Sequence, residues 1–76
     1  MNWQNDALVH AKDQDPKEAV GIVLNIRGKL KYYPCRNLAI TDHQCFILDP
    51  EDYVKADNTG EIVAIVHSHP ITPPTP

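Results

Sequence analysis

The stretch that decides the fold is Glu18-Ala19-Val20-Gly21-Ile22-Val23-Leu24-Asn25-Ile26, followed by Arg27-Gly28-Lys29 and then Leu30-Lys31-Tyr32-Tyr33-Pro34-Cys35. The first nine residues are a β-branched apolar run of strand length, the pattern of a strand buried on both faces. Arg27-Gly28-Lys29 reads as a turn, so Leu30–Cys35 returns as the second arm of a hairpin. Pro34 has no N–H to give to a ladder, which puts the second arm at a sheet edge or near a strand end.

On the N-terminal side, Trp3 to Asp13 reads as a short helix of only fair periodicity. Asn2 or Asn5 is its candidate cap, and Asp15-Pro16 breaks it. On the C-terminal side, Asn37 to His43 is irregular or a weak strand, and Cys45-Phe46-Ile47-Leu48 reads as a short strand. Asp49-Pro50-Glu51-Asp52 is a helix start: Asp49 caps, Pro50 fits the first helical position, and the acids complement the dipole. That helix should run from Pro50 to about Ala56, with Asn58-Thr59-Gly60 ending it. Glu61 to Ser68 reads as a buried strand rich in Val and Ile, and 70–76 as an extended Pro-rich loop. Mixed strands with one or two helices give an α/β or α+β domain.

Composition excludes several functions. The chain has 76 residues, 42% hydrophobic and 22% charged, an ordinary globular balance for one small domain or part of one. Its net charge is -3 and it has no basic run, so nucleic acid is not expected as the main partner. The apolar stretches fall far short of the ~20 residues that span a bilayer, and no signal peptide is visible. Two cysteines, Cys35 and Cys45, make neither a disulfide framework nor a CxxC zinc site. Both read as packed thiols in a reducing compartment. Tyr32, Tyr33, Tyr53 and Trp3 read as core or rim packing, and His10 and His43 as surface or packing residues.

The chemistry-bearing feature is His67-Ser68-His69-Pro70 at a strand end. Residues i and i+2 of a strand share a face, so His67 and His69 present two imidazoles side by side, a two-point grip for a divalent metal. A catalytic site of this kind also needs a further ligand and a carboxylate base. Glu18, opening the first buried strand, is the candidate base. Asp49, Glu51 and Asp52 are read as capping and dipole residues, not as ligands.

Three segments together, Pro16-Lys17-Glu18-Ala19-Val20-Gly21, Phe46 to Tyr53, and Val66-His67-Ser68-His69-Pro70, resemble the JAMM metalloprotease family, also called JAB1/MPN/Mov34. The Asp-Pro-Glu-Asp helix start is like that of its bacterial and phage branch, and the resemblance covers nearly the whole chain. It implies a mixed sheet flanked by helices, with residues 1–76 as the N-terminal portion of one such domain. It implies Glu18 as general acid/base, His67 and His69 as two Zn2+ ligands, and no chemical role for Ser68.

The implied activity is hydrolysis of a peptide or isopeptide bond, with cell-wall (peptidoglycan) peptides as substrate and phage tail proteins as partners. The implied location is the virion tail, after expression in the cytoplasm. The family pattern continues after His-x-His-Pro with a serine and an aspartate, and Pro76 falls within that spacer. The expectations are therefore weak or absent zinc binding by these 76 residues, no hydrolysis, and an uncovered last strand that favours self-association or mobility. The alternative readings are a non-catalytic JAMM-like module in tail assembly, or an isopeptidase acting on ubiquitin-like modifiers.

Overall fold

The structure, a computed structural model, describes residues 2–39 and 46–68. In chain order the elements are α1 (Trp3–Gln14), β1 (Val20–Ile26), β2 (Lys29–Cys35), α2 (Pro50–Thr59) and β3 (Glu61–His67). The three strands form one antiparallel sheet in the order β2-β1-β3. The α/β class therefore holds; each described strand is antiparallel to its neighbour, so the mixed sheet the resemblance implies does not appear among the described strands. His10 lies in α1, and Phe46, expected in a strand, lies outside the described strands.

β1 occupies the centre because both of its faces are apolar. Val20 through Leu24 are all buried. Val20, Ile22 and Leu24 join Cys35 and Ala56 of α2 in the core cluster, with Tyr33, Phe46, Leu48 and Ile62 packed around it. Gly21, on the opposite face, lies under the Tyr32 ring, where any Cβ would overlap the phenol. Tyr32 in turn meets α1 through its hydroxyl, 2.7 Å from His10 Nδ1. Each face of the sheet thus carries one helix.

The hairpin turn is two residues, Arg27 and Gly28, both at positive φ (54° and 82°), the combination whose twist suits a tight hairpin. The Gly28 N–H donates to Asn25 Oδ1 at 2.8 Å, and Lys29 already belongs to β2. β2 is an edge strand, as Pro34 required. Asn2 is the cap that α1 uses, accepting from the Asn5 N–H at 2.9 Å. Asp49 caps α2 by accepting from the Glu51 N–H at 2.9 Å. α2 runs to Thr59, beyond the expected Ala56, and the Gly60 N–H closes it on the Ala56 carbonyl.

Two expectations are corrected. Residues 46–48 are not a strand: only an isolated bridge joins Asn37 to Leu48, and Cys45 lies outside the described residues. The Ile47 N–H bonds a side chain, Asn37 Oδ1, instead of a strand ladder. β3 is not a buried strand. It lies at the other sheet edge, and Val63 and Ile65 are 53% and 48% exposed. An apolar run identifies a strand but not its place in the sheet.

Candidate functional site

The register of β1 against β3 pairs Val20 with His67. Just beyond that pair, Ser68 locks the strand ends together. Its N–H donates to the Ala19 carbonyl at 2.9 Å, and its Oγ accepts from the Ala19 N–H at 2.8 Å. Ser68, which sequence reasoning left without a role, thereby fixes the residue next to Glu18 against the residue next to His67. β1 begins at Val20 rather than Glu18, because Ala19 spends its backbone groups on Ser68 and the Glu18 carbonyl accepts from Asn37.

Glu18 and His67 are 49 positions apart in sequence and meet in space. His67 Nδ1 lies 3.1 Å from Glu18 Oε1. The carboxyl-bearing residue is 3% exposed and the imidazole about one-third exposed, so the pair sits at the rim of the core with the ring reaching solvent. A proton on Nδ1 makes the imidazole a donor to the carboxylate and leaves the lone pair on Nε2, the arrangement a metal-binding histidine uses. The second expected ligand, His69, lies outside the described residues, as do His43 and residues 70–76. Among the described residues no group of three His, Cys, Asp or Glu side chains is placed to hold an ion. The donor that fits a metal there is His67, with Glu18 beside it.

Two members of the site were not foreseen. Phe46 stacks on His67, with ring centroids 4.5 Å apart and planes 26° from parallel. Its sequence context marks it as a strand residue and as the start of the Phe46–Tyr53 segment of the resemblance, with no role at the site. Asn37, 8% exposed, donates from Nδ2 to the Glu18 carbonyl at 2.8 Å, and its Oδ1 accepts from the Ala39 and Ile47 N–H groups, each at 2.9 Å. A buried asparagine in an irregular segment carries no local signature. The only hint was Phe46 opening the segment that leads into the Asp49 cap.

Asp49 caps α2 as expected, and Arg36, a partner the sequence reading did not name, engages Asp49 and Asp52. Arg36 pairs with Asp49 at 2.8 Å, and its backbone N–H donates to Asp52 at 2.8 Å. That N–H bond, with the nearby guanidinium, holds the Asp52 carboxyl below its ordinary range. Cys35 is buried, and its thiol is pushed up to about 11, first by burial and then by the Asp52 and Asp49 carboxylates, which makes it a poor nucleophile.

Comparison with known proteins adds the lineage. Residues 2–76 match the family described as prokaryotic homologs of the JAB domain. A 63-residue span is 44% identical to tail tip assembly protein K of Escherichia phage N15, covering 83% of this chain and 26% of that protein. The chain thus spans about a quarter of the length of that relative. No solved structure matches it. With a family match over residues 2–76, this chain belongs to the prokaryotic JAB-domain homologues.

Proposed function

We propose that Glu18, His67 and His69 belong to a zinc-dependent peptidase site that hydrolyses a peptide or isopeptide bond, carried by a phage or prophage tail protein. The observation that carries the reading is the 3.1 Å contact between the His67 imidazole and the buried Glu18 carboxylate, made across the ends of two strands. His67 and His69 would hold the ion, which when bound supplies a water acidified toward neutrality and polarises the scissile carbonyl. Glu18 takes the proton from the attacking water and later delivers it to the leaving amine. While it waits, its carboxylate accepts from Nδ1 of His67 and keeps that ring in the metal-binding tautomer. The relative's name, tail tip assembly protein, supports tail proteins as partners; the peptides of the cell wall are the substrate this reading assigns.

The test is zinc content and peptide turnover of a full-length polypeptide carrying this segment. Glu18→Gln should keep the metal and lose turnover by about 10²–10⁴-fold. His67→Ala should lose both. Undiminished turnover in Glu18→Gln would sink the reading. These 76 residues alone are expected to give up zinc on dialysis against a mild chelator, as read by metal analysis.

A second, non-catalytic reading is favoured by one observation: Val63 and Ile65 expose an apolar stripe along β3, suited to a protein interface in tail assembly. Zinc-free, inactive full-length protein that still assembles would select it.

A further inference from the structure

We propose that Asn37 is the positioning residue of the Glu18–His67 pair, a single side chain that holds both flanks of the His67 ring. Its consequence for metal binding rests on the peptidase reading; its geometry does not. The contacts close a circuit. Asn37 Nδ2 donates to the Glu18 carbonyl at 2.8 Å, and Glu18 Oε1 meets His67 Nδ1 at 3.1 Å. The His67 ring stacks on Phe46, and the next residue, Ile47, donates its N–H back to Asn37 Oδ1 at 2.9 Å.

The strand register and Ser68 fix His67 relative to residue 19, but they do not reach Phe46, which lies outside the sheet. The backbone bond from the Leu38 N–H to the Ile47 carbonyl ties that segment to its neighbour across the bridge, and the Asn37 amide extends the tie to Glu18. Only a carboxamide of this length satisfies the circuit, since it needs an acceptor facing two N–H groups and a donor facing a carbonyl. Aspartate would aim a lone pair at the Glu18 carbonyl, and alanine would leave two buried backbone groups, the Glu18 carbonyl and the Ala39 N–H, and the part-buried Ile47 N–H without this partner.

The experiment uses the metal-free chain and NMR. In the wild type, nuclear Overhauser contacts between the Phe46 and His67 rings and ring-current-shifted His67 protons report the clamp. Asn37→Asp keeps acceptors for the Ala39 and Ile47 N–H groups and loses the donation to Glu18. It should retain its circular dichroism, lose the ring contacts and move the His67 protons toward their unfolded-chain shifts. Ala56→Gly, a core-side change in α2, should lower the urea midpoint and leave those contacts intact.

Ring contacts that survive both Asn37→Asp and Asn37→Ala overturn the proposal. An Asn37→Asp chain that does not fold also overturns it, because Asn37 is then a requirement of the fold and not of the pair. In the full-length polypeptide Asn37→Asp should weaken zinc binding by about 10–100-fold, the usual loss for an outer-shell partner. Unchanged zinc affinity there counts against the proposal. A wild type that never binds zinc sinks the peptidase reading while the ring contacts still judge Asn37.

Discussion

At the scale of single residues, Gly21, His10 and Cys35 each make a claim that can be measured. Gly21 is a glycine because the Tyr32 phenol occupies the space of its Cβ. Gly21→Ala should therefore destabilise by about 1–3 kcal/mol through overpacking. Removing the obstacle with Tyr32→Ala should make the two losses non-additive in a double-mutant cycle read by urea denaturation. His10, against that same phenol, has its pKa lowered from 6.5, chiefly by burial and partly offset by Asp13.

The sign follows from the neutral ring being the form the fold accepts. As pH falls below 6.5, the unfolded chain takes up the proton first, and the stability His10 contributes above that pH is lost on the way down to its folded value. His10→Gln should flatten the pH dependence of the urea midpoint in that window. An unchanged slope would assign the acid sensitivity to other groups. The Cys35 thiol, pushed up to about 11, should escape alkylation by iodoacetamide in the native chain and react on unfolding, as mapped by peptide mass spectrometry.

Among the elements, the two helices differ in how firmly they are held, and their caps report it. Asn2 caps an exposed helix with no buried residue. Asn2→Ala should cost about 1 kcal/mol, the ordinary value of a cap. Asp49 does more: it caps α2, pairs with Arg36, and starts the helix that brings Ala56 into the core. Asp49→Ala should therefore cost more than Asn2→Ala in the same denaturation assay, and an equal or smaller loss would contradict this account. β1 is the element on which the rest depends. Leu24, fully buried between the strands and α2, should cost about 2–5 kcal/mol when truncated to alanine, a large share of the stability of a domain this small.

For the whole molecule, the sheet order governs behaviour. Among the described residues, β1 is flanked on both sides, while β2 and β3 are edges. β2 carries Pro34 and the two exposed lysines Lys29 and Lys31, which discourage further pairing, whereas β3 presents Val63 and Ile65. The 76-residue chain is expected to self-associate through this stripe, and Val63→Lys with Ile65→Lys should shift sedimentation toward the monomer. Concentration-independent sedimentation of the unsubstituted chain would count against it. Among the described residues no helix is long and apolar enough to cross a membrane.

Local rules determined much of this molecule. The β-branched run of β1, the Arg27-Gly28 turn, the edge position marked by Pro34 and the Asp49-Pro50 helix start are decided by neighbours within a few residues, and each was legible as written. The motif residues Glu18 and His67 were legible as candidates too. Their meeting was not, because it depends on a strand register set between segments 49 positions apart and on Ser68 bonding Ala19. Nor could local pattern find Asn37 and Phe46. A side-chain amide that bonds the backbone of two separate segments, and a ring that stacks on a histidine from another strand, acquire their roles only when the chain has closed around them. For the same reason β3 was recognised as a strand but misplaced in the interior: hydrophobic sequence fixes which residues seek cover, and only the tertiary arrangement decides which of them receive it.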